Sequence, residues 1–479
     1  MSTTYDMIIV GGGTAGMCCA IEAAERGATV AVIEKDRIAG GAMHWSGGHM
    51  SAGGTQLQKR NDIDDSREEH LADIIRINQG SGDLDLIRLA VEEATDTLDW
   101  LDGLGFPWAA DCPRIIYGHV PYTKARTQYG SNKAISILET IMPLWQNGID
   151  HKQIHFYNNH SFVGLDRQSD NYDTVIAKNI KDEEVRFQGN HIVITSGGYG
   201  SNPSYFESKH KNILLNSSTY PNSTGEVAQY LESQNAAFRM ADLHLPSVGG
   251  IELQPGSGKS NFNEAWAMVL TSIYRQPRDI YVTTEGKRFL REDEINADVR
   301  EREVVKLKNW WFYVIFDEAS LLERNENGLE NPIIIGWDTE KIKKEAKRNK
   351  AIFSANSIRE LATKIDVDSD TLTETVDSYN IMVENGEDPD FGRTYLENKI
   401  TEGPYYAVKV FASVLVTFGG IHVNADLQVL DNNQQIIPGI YAAGEVLGLG
   451  ALSGNAFCSG MAITPALSFG RILGRSLTK

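Results

Sequence analysis

No uninterrupted apolar stretch approaches the roughly 20 residues of a membrane-spanning helix, so membrane insertion is not expected. Cysteine is scarce: Cys18, Cys19, Cys112 and Cys458 form no CxxC pair and no CxxCH haem-attachment motif. They suggest neither a disulfide framework nor a built-in electron relay, and they point to a reducing, cytoplasmic setting. Positive charge is also short, with 45 Lys and Arg against 64 Asp and Glu and a formal net charge of -19. That balance works against polyanionic partners, so neither nucleic acid nor an anionic membrane surface is expected. Repeats and low-complexity segments are missing, and no His or Cys spacing matches a metal-ligand set.

What is there is a chain of 479 residues, long enough for two or three domains. Residues 6–35 read as strand, tight turn, helix and strand: DMIIV, GGGTAG, MCCAIEAAERG and ATVAVIEK. This is the front of a parallel α/β domain. Gly11, Gly13 and Gly16, with Thr14 and Ala15 between the last two, satisfy GxGxxG between that strand and helix. The first glycine permits the turn, the second admits a pyrophosphate and the third allows close helix packing. Glu34 closes the second strand about 20 residues on, where a carboxylate binds the ribose of an adenine dinucleotide. NAD and FAD share that half, so the motif alone does not choose between them.

Further along, helices are expected at 66–78, 84–102 and after Asn132, and strands at 153–165, 173–179 and 184–195. The segment 240–400 changes character. It has strand-like pieces at 278–283 and 312–316, a charged helical tract at 339–350, and a helix opened by Ser357 and Glu360 as a capping box.

Downstream, HIVITSGGYGSN (191–202) and IPGIYAAGEV (437–446) resemble segments of the fumarate reductase and 3-ketosteroid dehydrogenase superfamily of flavoproteins. GGAMHWSGG (40–48), STGE (223–226), GKRFLRED (286–293), TFGG (417–420) and SGNA (453–456) extend the match over nearly the whole chain. The resemblance implies FAD. It places Glu34 and Lys35 near the adenosine, and Gly41, Ala42, Ser46, Gly47 and Gly48 near the flavin. Ser196 and Gly197 belong to the second of these FAD-holding segments, and Gly444 and Glu445 to the third, with Glu445 near the ribityl chain. Gly454, Asn455 and Ala456 would open a helix facing the flavin. Members with covalent FAD carry a histidine near residue 42, where this chain has Ala42 and a neighbouring His44, so non-covalent FAD is expected.

The resemblance also exposes departures. Where dicarboxylate reductases carry two arginines and a histidine, this chain has Leu321, Ala451 and Val416, the last beside Leu415. Two substrate carboxylates buried without cations would cost several kcal/mol each, so a more neutral substrate is expected. TPALSFG (464–470) is closer to the steroid dehydrogenase branch, although the catalytic tyrosine of that branch has no counterpart. Catalytic candidates therefore come from YGHVPYTKARTQYG (117–130), with Tyr122 and Arg126 as the leading pair and Tyr117 beside them. Arg291 and Glu292 are candidates for a proton relay.

The expected architecture is α/β: a Rossmann-type FAD-binding domain (1–238 and 400–479) with an inserted α+β capping domain (239–399). The expected activity is a desaturase moving hydride from the carbon beta to a carbonyl of a neutral, cyclic ketone to flavin. Alternatives are an ene reductase of an unsaturated acid, anchored by Arg126 or Arg291, and an electron-transfer flavoprotein. The partner is a small-molecule substrate, and no motif names the electron acceptor.

Overall fold

Thr4–Val10, Val30–Ile33 and the end of Glu184–Ile194 are nearly continuous apolar runs, the pattern of parallel strands covered on both faces. The computed structural model describes residues 4–167, 173–210, 215–267, 276–322, 333–348 and 351–478. In it these strands lie side by side in the order Gln428–Leu430, Ile436–Ala442, Glu184–Ile194, Thr4–Val10, Val30–Ile33, Ile154–Tyr157. All neighbours run parallel except the first pair. Val10 pairs with Ile33 on one side and Ile194 on the other, and Ala442 with Ile194, so four strands end at one level. In an open parallel sheet, that carboxyl edge is where ligands bind. Ser161–Asp166 and Asp173–Lys178 extend Glu184–Ile194 as an antiparallel meander.

Thr14–Glu25 follows the first strand, and its small residues let another helix, Ile463–Ser476, lie close against it. A Cβ on Gly470 would stand 2.3 Å from the Ala15 carbonyl oxygen, and one on Gly474 2.5 Å from that of Cys19. Arg471 crosses this contact to Glu22, Nε to Oε1 at 2.6 Å, with both side chains buried.

A second sheet has Tyr405–Ser413 at its centre, pairing antiparallel with Trp311–Asp317 on one edge and with Ser247–Gly250 and Ile352–Ala355 on the other. Ile280–Val282 completes it. Leu361, Leu372, Val376 and Tyr379 cover one face and form a separate core with Ile280, Val282 and Ile315. The expected boundary at 400 therefore shifts: Tyr405–Ser413, assigned by sequence to the return segment, is the middle strand of the capping sheet. Phe238–Arg239 on the way out and Gly420–Ile421 on the way back pair with each other, so the two crossings form one antiparallel ribbon.

Two local expectations are refined. The charged tract is helical over Thr339–Glu345, and its last two expected residues, 349–350, lie outside the described residues. Ser357 caps its helix through Glu360 N, but the Glu360 carboxylate reaches Asn356 N, one residue earlier than a capping box requires. Among the described residues no helix is long and apolar enough to cross a membrane.

Replacing Glu22 by Ala would leave Arg471 buried beside a missing partner. A loss of about 3 kcal/mol in unfolding free energy is expected, measurable by denaturant titration against wild type.

Candidate active site at the strand ends

A cavity of about 880 Å³ opens at the shared carboxyl edge, bordered by Val10, Ile33, Thr195 and Gly444. The three motif glycines do separate work there. Gly11 has φ +110, and a Cβ on it would sit 2.4 Å from the Thr195 carbonyl oxygen. A Cβ on Gly16 would be 2.1 Å from the Gly11 carbonyl oxygen, so it sets the approach of helix to strand. Gly13 meets nothing within 4 Å and borders the cavity. It also caps Thr14–Glu25 without a side-chain acceptor, leaving that helix's first amides for a ligand.

Glu34 accepts from Gly12 N and Asp36 N, both at 2.7 Å, which locks the carboxylate beside the turn. Its burial raises its pKa against the opposing pull of those two amides. Lys35 donates to Thr224 Oγ1 and Glu226 Oε1, both at 2.6 Å, closing the cavity from the STGE loop. Glu445 is raised by burial too, and accepts from Thr417 N at 3.1 Å. The Ser196 hydroxyl is buried, borders the cavity and has no protein partner, as a group waiting for a ligand would be.

The residues expected around FAD all line this cavity except Gly16, Gly48, Gly454, Asn455 and Ala456. Gly48 turns the chain against the 133–134 loop, its Cβ position 2.5 Å from Ala134 N. Gly454 is pressed onto Ser81, with 2.2 Å between a Cβ there and Ser81 Oγ. The expected helix start at Gly454–Ala456 is corrected: a short helix, Leu449–Ser453, ends there, and the next begins at Ile463. Pro465 lies in the first turn of that later helix, where its missing N–H costs nothing.

The five catalytic candidates lie away from the cavity lining. Arg126 is fully buried and held by Asp65, at 2.7 Å, and by Asp73. Burial alone would push the Asp73 carboxyl up, but hydrogen bonds from Thr123, Arg76 and Arg126 bring it down to about 2. Tyr122 donates to the Ser459 carbonyl at 2.8 Å, and burial holds its phenol well above its usual range, which does not suit a base. Tyr117 is exposed. Arg291 pairs with Asp293 at 2.7 Å. Glu292 is buried against Arg288 at 2.7 Å and Arg393 at 3.5 Å, inside the cap's own ion network.

Part of the lining is apolar, with Leu415, Val416, Leu452, Phe457 and Phe262, and Asn261 and Asn263 also border the cavity. No arginine is among the described lining residues, and the lysines are Lys35 and Lys133. Leu321 and Ala451 are buried elsewhere. His244 lies flat on Trp310, ring centroids 4.5 Å apart, as packing.

One constellation escaped sequence reading. His119 Nδ1 lies 2.6 Å from Asp298 Oδ1, and Glu301 brings a third ligand-type atom within 4.8 Å of the other two. Asp298 and Glu301 belong to the charged stretch DVRERE at 298–303. Their i, i+3 spacing on Ala297–Val304 was the available signal.

Residues 6–461 match the FAD-binding domain family. The chain belongs to that family. This flavoprotein is 26% identical to the fumarate reductase (cytochrome) of Shewanella frigidimarina over 99% of its own length and 77% of that protein. It is 25% identical to the vinyl phenol reductase of Lactiplantibacillus plantarum over 92% and 89% of the two chains. Its fold is similar to 3-ketosteroid delta1-dehydrogenase from Sterolibacterium denitrificans, with TM-score 0.75, 17% identity and coverage of 99% of both chains. The flavoprotein is an FAD-dependent oxidoreductase acting on carbon–carbon bonds.

Gly13→Val should fold, because its side chain meets only open space, yet purify without the visible flavin band. Arg126→Gln should lower stability by about 3 to 5 kcal/mol, because two buried aspartates lose their cation, while flavin per folded molecule stays unchanged. Asp73 is depressed, so its contribution is present at neutral pH and lost as pH falls from the ordinary carboxylate range towards about 2. Acid unfolding of wild type should show that loss, and Asp73→Asn should remove it.

Proposed function

We propose that this flavoprotein reduces a carbon–carbon double bond of a neutral, largely apolar molecule. The observation that carries the reading is the wall of Leu415, Val416, Leu452 and Phe457, with no arginine in the described lining. A carboxylate set against it would lose hydration without a paired cation, at a cost of several kcal/mol. Arg126 and Arg291, the anchors an unsaturated acid would need, are both committed to aspartates. A relative named for reducing a vinyl phenol, an alkene without a carboxylate, agrees with this.

In this reading Gly11–Ala15 and the first amides behind them hold the pyrophosphate, Glu34 the adenosine ribose and Glu445 the ribityl chain. Ser46, Gly47, Ser196 and Gly197 border the flavin. FAD, when bound, supplies two-electron hydride chemistry. Attachment is non-covalent: Ala42 offers no nucleophile, and His44 Nε2 is engaged with the Ala39 carbonyl at 2.9 Å.

The direction differs from the desaturase expected from sequence. Tyr220 is the one tyrosine in the described lining, and its hydroxyl is bonded to Asp36.

The test is anaerobic mixing of photoreduced protein with 4-vinylphenol, neutral enones and enoates. Reoxidation of the flavin band by the neutral alkenes and not by enoates is expected. Reoxidation by enoates alone would replace this reading with an acid reductase anchored on Lys133. Bleaching of the oxidised protein by saturated cyclic ketones would restore the desaturase.

A further inference from the structure

Three segments of the cavity lining run side by side just before they reach it. Ser217 forms parallel bridges to Lys259 on one side and to Val414 on the other. Ser217 N donates to the Gly258 carbonyl at 2.7 Å, and Ser260 N to the Ser217 carbonyl at 2.9 Å. Ser218 N reaches the Val414 carbonyl and Val414 N the Asn216 carbonyl, both at 2.8 Å. Parallel pairing sends all three chains out of the bridge in one direction. The residues that follow line the cavity: Ser218, then Asn261, Phe262 and Asn263, then Leu415 and Val416.

One side chain ties the three together. Asn216 Oδ1 accepts from Ser260 Oγ at 2.7 Å and from Ser413 Oγ at 2.6 Å, and Asn216 Nδ2 donates to Glu252 Oε1 at 3.0 Å. Glu252 also accepts from Gly256 N at 2.7 Å and Gly258 N at 3.0 Å, so its carboxylate closes the turn that leads to Asn261. Asn216, Glu252, Ser260 and Ser413 are all buried, and none of them lines the cavity. Gly250 makes room for the node: a Cβ there would stand 2.0 Å from Ser413 Oγ and 2.6 Å from Ser260 Oγ. A buried polar network matched in this way favours one arrangement of its segments over all others. Phe262 and Leu415, by contrast, are exposed, so their positions are inherited from the segments that carry them.

We propose that Asn216 and Glu252 are positioning residues that set the substrate specificity of the flavoprotein. This rests on the alkene-reductase reading, in which the substrate lies against Leu415 and Val416. Neither residue touches the substrate. Asn216 fixes the three segments at one level, and Glu252 fixes the turn that brings Phe262 forward, so the wall is held in place from behind. The selectivity that follows is one of size and shape, because a stiff apolar wall refuses an oversized molecule by overlap and not by charge. Loosening the node weakens binding of a substrate that fits and admits one that does not.

The test pairs kinetics with amide hydrogen exchange on the FAD-loaded protein. Photoreduced Asn216→Ala, with the flavin content of wild type, should show a KM for 4-vinylphenol raised about 10-fold and a kcat within about twofold of wild type. The ratio of kcat/KM between 4-vinylphenol and a bulkier neutral enone should fall in the same variant. Glu252→Gln, which keeps an oxygen for Gly258 N and Asn216 Nδ2, should lie between wild type and Glu252→Ala in both readouts. Exchange at 217–218, 258–263 and 414–416 should quicken together in Asn216→Ala, with the Leu361 and Tyr379 core of the cap unchanged. Quicker exchange with KM and selectivity unmoved would overturn the proposal by making the node structural only. Quicker exchange in one segment alone would overturn it too. If Asn216→Ala does not fold, Ser260→Ala, which removes one donor to Asn216 Oδ1, should give the same pattern at smaller size. If no alkene reoxidises the wild type, the reductase reading fails, and the exchange result still supports or overturns the coupling of the three segments by Asn216.

Discussion

Backbone touching backbone is the constraint on which this molecule depends. At Gly11 the first strand passes the Thr195 carbonyl with no room for a side chain, and at Gly16 the first helix presses on the Gly11 carbonyl. Gly470 and Gly474 repeat the arrangement where the last helix meets the first. These contacts draw four strand ends to one level, and the cavity is the space left above them. A methyl group at any of these positions would move a whole element, because packed interiors have no slack to absorb it.

The same economy governs charge. Ionic groups inside the molecule are largely matched to one another: Arg471 to Glu22, Arg126 to Asp65 and Asp73, Arg288 to Glu292 and Asp388. Such pairs hold elements in register and commit these guanidinium groups to carboxylates of the chain itself. Leu415, Val416, Leu452 and Phe457, by contrast, give part of the cavity wall an uncharged face.

Legibility in the sequence followed the range of the interactions. The turn at Gly11–Gly16 and the acid at Glu34 are local features, 22 residues from Gly12 to Glu34, and their geometry is set by neighbours in the chain. The family resemblance pointed to most of the other residues that line the cavity. Arg126 read as a free cation because Asp65 and Asp73 lie 61 and 53 residues away. The contact between Asp298 and His119 was not legible because the two residues are 179 apart in the chain. Tyr405–Ser413 was placed with the return segment for a similar reason: only its pairing with Trp311–Asp317 decides its layer. Catalytic chemistry in this fold is assembled from distant segments, so it was the least legible part.

The paired crossings at Phe238–Arg239 and Gly420–Ile421 have a mechanical meaning. Because the two crossings are hydrogen-bonded to each other, the chain between them forms a closed loop whose ends cannot separate without breaking that pairing. Ala297 to Gly118 and Arg302 to Asn455 tie the loop back to the rest of the chain at other points, so the joint is laced rather than hinged.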